Sequence, residues 1–417
     1  MKTVGVIAEY NPFHNGHKHQ LDKIKEITHS DYCIVIMSGD FVQRGEPALI
    51  DKYSRTKMAL LNGADLVLEL PVYYATSSAE NFAAGAIALL DRLGIVNSIC
   101  FGSECGDLSV LSTFAKVFAD ESDAFSEVLR QNLRDGLSYP VARNNALTSV
   151  HKELTEYTDV LSSPNNILGI EYMKSLYRRN SKIIPFTNLR VGGSYHDTNF
   201  VKSMSSATAI RHTLEQMDNL LLIANQVPSS VFQILEKHFR VNCPIYPQDI
   251  SLPLKYKLLQ HSKEGYTEFA DVSADLSDKI QKQLELFTSF PNFCDSLKSK
   301  DMTYTRISRC LLHILLNIKR DSLQTFIKDD FVYYARILGL KQSSTEILNA
   351  IKKNATIPLL PKLADAENIL SNTPYPEHAL EMLNSDIFAA HVYDSVATNK
   401  FHTYFPNEYR RQIVKIR

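Results

Sequence analysis

The sequence has no pair of cysteines at CxxC spacing, no apolar run long enough to cross a membrane, and almost no net charge. Each absence removes a class of protein. The six cysteines, Cys33, Cys100, Cys105, Cys243, Cys294 and Cys310, are scattered, which excludes zinc-ribbon and thioredoxin-type spacing and leaves free thiols, mostly in the core. No stretch approaches the roughly 18 apolar residues of a membrane span, and residues 1–10 read as a strand, without the basic start and apolar stretch of a signal peptide. A cytoplasmic protein with no membrane partner is expected. Lys and Arg number 45 against 46 Asp and Glu, so any hold on an anionic polymer must come from local clustering. Composition neither requires nor excludes RNA, and no DNA partner is expected. Internal repeats and long low-complexity segments are also missing.

At 417 residues the chain exceeds one ordinary core, and two domains are expected. The first hundred residues alternate strand-like and helix-like segments: Val4–Ala8, Gly16–Thr28, Tyr32–Met37, Ala48–Asn62, Leu66–Leu70, Ser78–Leu93 and Ser98–Phe101. Such alternation predicts a parallel sheet covered by crossover helices. The runs Val-Gly-Val-Ile-Ala, Cys-Ile-Val-Ile-Met and Leu-Val-Leu-Glu-Leu are nearly continuous apolar stretches, as in strands buried on both faces. The fold class is therefore α/β, a doubly wound parallel sheet. Helical segments near 107–135, 141–158 and 166–179, a strand at Lys182–Thr187 and a helix from Ser206 extend the pattern to about residue 220. From 221 to 417 strands are expected to fade into a mostly helical domain, with helices at Ser229–Phe239, Ala274–Phe287, Thr305–Lys319 and Ser343–Lys353.

Directly after the first strand comes Glu9-Tyr10-Asn11-Pro12-Phe13-His14-Asn15-Gly16-His17. A glycine between two histidines at a strand-to-helix junction sets both imidazoles beside a helix N-terminus, where unpaired backbone N–H groups and the helix dipole attract phosphate. Gly16 lets a nucleotide approach the backbone, and His14 and His17 can donate to phosphate oxygens as charge redistributes in a transition state. A second segment, Ser203-Met204-Ser205-Ser206-Ala207-Thr208-Ala209-Ile210-Arg211, puts hydroxyls before a predicted helix. Ser205 or Ser206 there is an ordinary N-cap or a triphosphate contact, and Arg211 favours the second reading.

Together these segments resemble the HxGH nucleotidyltransferase superfamily, which includes phosphopantetheine and nicotinamide-mononucleotide adenylyltransferases and is related to class I tRNA synthetases. The stretches Gly5–His17, Ser38-Gly39-Asp40-Phe41-Val42-Gln43-Arg44-Gly45-Glu46-Pro47-Ala48, Phe101-Gly102-Ser103-Glu104 and Ser163–Tyr172 carry the likeness further. They resemble the bacterial tRNA(Met) cytidine acetate ligase family. That resemblance implies a 1–220 ATP-binding catalytic domain and a 221–417 helical domain that contributes to tRNA binding. It implies a two-step reaction: acetate attacks the α-phosphate of ATP, giving acetyl-adenylate and pyrophosphate, and the wobble cytidine amine of elongator tRNA(Met) then takes the acetyl group and releases AMP. ATP contacts would fall at Ile7, Ala8, Glu9, Tyr10, Asn11, Pro12, Phe13, His14, Asn15, Gly16, His17, Lys18, His19 and Gln20, with Gly102, Asn165 (or its neighbour Asn166), Arg190 and Ser206. His14, His17, Asp40 and Arg211 are the expected catalytic residues. Magnesium would come with ATP and not from a protein metal site.

Asp40 is a candidate for a magnesium-bound water or the substrate amine, and Arg44 for acetate or RNA phosphate; the bland reading makes Asp40 a turn former and Arg44 an exposed cation. Between Lys298 and Lys353 eleven Lys and Arg face five Asp and Glu, with Tyr304, Tyr333 and Tyr334 interleaved. Clustered cations with aromatics suit RNA, and a solvated helix face gives the same count. Two other functions share parts of this pattern: a small-molecule adenylyltransferase, which needs a shorter chain, and a non-catalytic RNA-binding protein on a nucleotide fold. A class I synthetase is less suited, since no KMSKS-like loop occurs.

Overall fold

The computed structural model describes residues 1–120, 122–137, 139–190 and 204–417; Ser203, at the start of the predicted Ser203–Arg211 segment, lies outside them. Ten strands are found among the described residues: β1 (Thr3–Ala8), β2 (Tyr32–Ser38), β3 (Phe41–Val42), β4 (Glu46–Pro47), β5 (Leu66–Leu70), β6 (Ser98–Ser103), β7 (Ile184–Leu189), β8 (Ala335–Lys341), β9 (Leu359–Leu360) and β10 (Val414–Ile416). The main sheet runs β10-β8-β5-β2-β1-β6-β7, with β9 beside β8, and β3 and β4 form a separate antiparallel pair. Every pairing in the main sheet is parallel except β5 with β8. The doubly wound α/β expectation is met.

Alternation along each strand explains why both faces need helices. In β2, Ile34 and Ile36 enter one core with Phe82, Ala86 and Leu90 of the helix Ala79–Arg92. Cys33, Val35 and Met37 enter the other, with Leu21 and Ile24 of the helix Asn15–Thr28 and Met58 and Leu60 of the helix Lys52–Leu61. A strand whose odd and even residues are both buried has no polar face, which is the run of apolar letters seen in the sequence. β1 sits between β2 and β6, so the chain winds away from it in both directions. That reversal opens a crevice at the carboxyl ends of β1 and β6, the usual ligand position in such sheets.

After residue 221 the chain is mostly helical, as expected, with three strands besides. β8 pairs with β5, and the final strand β10 pairs with β8, so the C-terminal half extends the N-terminal sheet. Ala335–Lys341 is a short apolar run between two helical segments, and its strand partner stands far away in sequence, where local periodicity gives no signal. Gly339 makes the junction possible: a Cβ there would lie 2.7 Å from Thr56 Cγ2 and 2.7 Å from the Val414 carbonyl oxygen. The expected helices are present as Ser229–His238, Ala274–Gln283, Tyr304–Leu316 and Thr345–Asn354, joined by a 26-residue helix, Pro376–Phe401. Among the described residues no helix is long and apolar enough to cross a membrane.

A buried ion network locks the halves together. Lys52 Nζ lies 2.8 Å from Glu69 and 2.6 Å from Glu408, and Arg336 lies 2.8 Å and 2.7 Å from the same two carboxylates. Asp40 stands 3.8 Å from Lys52 and 4.0 Å from Arg55. Buried charges are tolerated only when matched, and removing one partner of such a set costs about 3–5 kcal/mol. Glu408, near the C-terminus, is thus fixed to the loops that follow β2.

Candidate active site

His14 is the N-cap of the helix Asn15–Thr28, and its Nδ1 accepts the Gly16 N–H at 3.1 Å. His17, three residues on, completes a capping box by accepting the His14 N–H on its own Nδ1 at 3.3 Å. Each imidazole therefore has Nδ1 occupied as an acceptor, which leaves the proton on Nε2. The rings stack with centroids 3.7 Å apart. Burial, then the positive charge of Arg190 and Arg211, holds the His14 pKa down to about 3. Burial, then His14 and Arg190, holds His17 well below its ordinary value. The pair is neutral at physiological pH and offers two Nε2–H donors without a charge of its own.

The expectation of unpaired backbone N–H groups at this turn is corrected. The N–H of Asn15 donates to the Gln226 carbonyl at 3.0 Å, and those of His17 and Lys18 donate to the His14 carbonyl at 2.9 and 3.1 Å. With Gly16 and His14 already bonded to the imidazoles, the first-turn amides are taken. What remains at this turn to meet an anion is the imidazole Nε2–H groups and the helix dipole. A side chain at Gly16 would place its Cβ 2.9 Å from His14 Cε1, so the glycine keeps the ring in position.

The cleft beside the histidines is lined by Ile7, Ala8, Glu9, Tyr10, Asn11 and Gln20 from the first strand, turn and helix, by Gly102 near the end of β6, and by Asn165, Arg190, Ser206 and Arg211. Gly16 and His19 line its continuation past the imidazoles. The remaining residues of the 7–20 stretch are absent from both linings. Phe13 is buried against Tyr10, Lys18 pairs with Asp22, and the Asn15 side chain donates to the Asn225 carbonyl at 2.9 Å, while Pro12 is buried. Their part is to shape the turn.

Asn165 and Asn166 differ in their partners and in their exposure to the cleft. Asn166 is buried, its Oδ1 accepting the N–H groups of Glu104 and Cys105 at 2.9 and 3.1 Å. Asn165 lines the cleft, donating to Glu104 at 2.6 Å and accepting from Arg190 at 3.4 Å. A Cβ on Gly102 would lie 3.1 Å from Arg190 Cγ, so the glycine admits that arginine to the cleft edge. Ser206 is an N-cap whose Oγ accepts the Ala209 N–H at 3.1 Å, and it also lines the cleft. Arg211 crosses from this helix to the HxGH turn, donating to the Asn11 carbonyl at 2.7 Å.

Asp40 is a correction. It is buried and is not among the cleft-lining residues; its carboxylate accepts the Lys52 N–H at 2.7 Å and its carbonyl the Ala48 N–H at 2.8 Å. Burial raises its pKa to about 6 against the pull of Lys52 and Arg55. Its geometry fits a residue that shapes the loop carrying Gln43 and Arg44, both of which line the cleft. The wall also includes Phe82, Phe101, Leu168, Tyr172 and Thr208, to which sequence reading gave no role. Phe101, Leu168, Tyr172 and Thr208 lie in stretches that drew notice for their neighbours, and Phe82 lies in the helix-like segment Ser78–Leu93.

The interleaved tyrosines of the basic stretch are corrected as well. Tyr333 and Tyr334 are buried and donate to Asp329 and Asp386 at 2.8 and 2.5 Å, so neither can stack on a base. Arg336 belongs to the buried ion network, and Lys319 pairs with Glu268 at 2.6 Å.

The histidine geometry fixes a pH behaviour. The folded protein binds these protons less readily than the unfolded chain, so each histidine's contribution to stability is whole above about pH 6.5. It falls away with acidification; for His14 the loss runs down to about 3. Nitrogen-15 NMR of the imidazoles should find both as the Nε2–H tautomer and unprotonated through the mildly acidic range. A ring that titrates near its ordinary pKa, or carries its proton on Nδ1, would contradict the assignment.

Residues 1–407 match a protein-family model described as HIGH nucleotidyl transferase. The tRNA(Met) cytidine acetate ligase of Clostridium kluyveri is 40% identical over 406 residues, covering 96% of each chain. That of Acetivibrio thermocellus is 38% identical over 392 residues, 93% of this chain and 94% of the relative. The crystal structure of apo Thermotoga maritima TmcAL matches at TM-score 0.95 and 31% identity over 100% of both chains. The same protein bound with alpha-thio ATP matches at TM-score 0.88 and 32% identity over 95% of both. Family membership follows from full-length likeness and shared architecture together: the chain belongs to the tRNA(Met) cytidine acetate ligase family, within the HIGH nucleotidyl transferases.

Proposed function

We propose that this protein joins acetate to the wobble cytidine N4 of elongator tRNA(Met) at the expense of ATP, releasing AMP and pyrophosphate. The observation that carries the reading is the cleft at the carboxyl ends of β1 and β6, where two neutral imidazole donors face Arg211 across the turn, in a chain whose relatives bear that name over nearly their whole length. An acetate oxygen attacks the α-phosphorus, forming the P–O bond of acetyl-adenylate as the bond to pyrophosphate breaks. The N4 amine then attacks the acetyl carbon, and AMP leaves.

Displacement at phosphorus needs alignment and charge stabilisation more than a covalent nucleophile. His14 and His17 supply Nε2–H donors to phosphate oxygens, while Arg44, Arg190 and Arg211 balance the added negative charge. Asn165 and Gly102 border the nucleotide. Magnesium is assigned to the triphosphate as part of the substrate; among the described residues no group of three His, Cys, Asp or Glu is placed to hold a metal, and Glu9 is the single carboxylate among those lining the cleft. A cytoplasmic site of action fits the use of tRNA and ATP.

Labelled acetate, ATP and total tRNA should give acetylated cytidine in the tRNA digest, with AMP and pyrophosphate in equal amounts and no need for acetyl-coenzyme A. Folded His17→Ala protein should be slower by about 10²–10³, the effect of losing one well-placed donor. Near-normal turnover in that variant would sink the site assignment. A dinucleotide product would favour the small-molecule adenylyltransferase, and the absence of pyrophosphate release the non-catalytic reading.

For tRNA we propose the exposed cations at the start of the helix that packs on the cleft's hairpin. Ser308, on the helix Tyr304–Leu316, donates to the Gly45 carbonyl at 2.9 Å, so this helix packs on the hairpin that carries Gln43 and Arg44. Lys300 and Arg306 are exposed near the start of that helix. Lys352 and Lys353 are exposed at the opposite edge, where Asn354 packs against Gly94 ahead of β6. Lys300→Glu with Arg306→Glu should weaken tRNA binding and reduce its salt slope by roughly one unit per lost contact, and Lys352→Glu with Lys353→Glu should not. Equal effects of the two pairs, or none from the first, would remove the assignment.

A further inference from the structure

A carboxylate is an unexpected group in this cleft. The first step brings together two anions, acetate and a triphosphate, and Glu9 repels both. It nonetheless lines the cleft, at the end of β1 and on the rim of the HxGH turn. Its place is held on purpose by several elements. The Glu9 Oε1 accepts the Gln43 N–H from the β3–β4 hairpin at 2.8 Å, and the Glu9 carbonyl accepts from Arg55 of the helix Lys52–Leu61 at 2.7 Å. Arg211 and Arg44 face the carboxylate from the helix Ala207–Met217 and from the hairpin, and Arg55 lies behind it.

The second step has a different need. The exocyclic amine of cytosine is a poor nucleophile until a proton leaves it, and some group must accept that proton. Both histidines are unable to do so, because Nδ1 of each is committed to a backbone N–H and Nε2 already carries the proton. Gln20, Gln43 and Asn165 are not bases, and the arginines are already protonated. Asp40 is outside the cleft and bonded to the Lys52 N–H. Among the described lining residues Glu9 is left as the one proton acceptor. A carboxylate is also the side chain that recognises cytosine by its N4 amine.

We infer that Glu9 is the general base for acetyl transfer, holding the cytidine N4 amine against acetyl-adenylate and taking its proton. In that step a C–N bond forms between N4 and the acetyl carbon. The C–O bond to the α-phosphate breaks with its electrons going to AMP, and one N4 proton passes to a Glu9 oxygen. Burial raises the Glu9 pKa, with the Gln43 N–H and the charges of Arg211, Arg44 and Arg55 opposing it, which makes the carboxylate a stronger base than one in water. The inference rests on the acetyl-transfer reading of the site, and its test separates the two.

Synthetic acetyl-adenylate supplied directly with tRNA(Met) bypasses the first step. Single-turnover transfer by the wild-type chain should fall on acidification as Glu9 takes up a proton. Glu9→Gln, which keeps an oxygen for the Gln43 N–H, should be slower by about 10²–10⁴ and should lose that acid limb. Glu9→Asp, which keeps a carboxylate, should be slower with the limb retained. The inference is overturned if Glu9→Gln transfers at the wild-type rate, if it is slow but keeps the wild-type limb, or if Glu9→Asp loses the limb. Failure of the wild-type chain to use acetyl-adenylate would overturn the acetyl-transfer reading itself, and is seen before any variant is made.

Discussion

Two backbone N–H groups at the start of one helix set the chemistry of the cleft. The amides of His14 and Gly16 each need an acceptor, as every first-turn amide does, and they find it in the Nδ1 atoms of His17 and His14. What satisfies the helix also fixes the tautomer. Two stacked, buried imidazoles in that state are donors toward the cleft and cannot act as bases there, and burial beside Arg190 and Arg211 keeps them uncharged. At this turn the imidazoles therefore offer donors only, and a proton acceptor there would have to be another residue.

The rest of the fold holds that turn in place. Arg55 is fully buried, and its guanidinium donates to the carbonyls of Glu9, Ser38 and Ile50 at 2.7, 3.0 and 3.0 Å. One side chain therefore ties together the carboxyl ends of β1 and β2, whose following loops supply part of the cleft wall beside β6. One turn earlier on the same helix, Lys52 joins Glu69 and Glu408, and Arg336 of β8 closes the set. Through these ions the last residues of the chain bear on the first loop. The C-terminal half supplies two strands, β8 and β10, to the main sheet and two members, Arg336 and Glu408, to the ion network.

Much of this was legible in the letters, and what was not has physical reasons. The strand-turn-helix context of His14 and His17 could be read because it is local: apolar run, glycine and helix start follow within a few residues. β8 could not, because a strand of seven residues among helices is identified by its distant partner. The buried Tyr333 and Tyr334 misled for a related reason, since an aromatic near cations looks the same whether its ring faces RNA or a core. Asp40 lies in a stretch that matches the family, and family resemblance does not reveal that its carboxylate caps Lys52 and does not face the cleft. Glu9 was legible as a letter within the motif, but its meaning depends on knowing that both histidines are spent as donors.

The central claim is that acetate is activated by direct attack on the α-phosphorus within this cleft. Its signature is the fate of an acetate oxygen. With oxygen-18-labelled acetate, ATP and tRNA(Met), the account predicts that one label enters each AMP, in step with the acetylcytidine formed, and that pyrophosphate stays unlabelled. AMP free of label, or label in pyrophosphate, would contradict it.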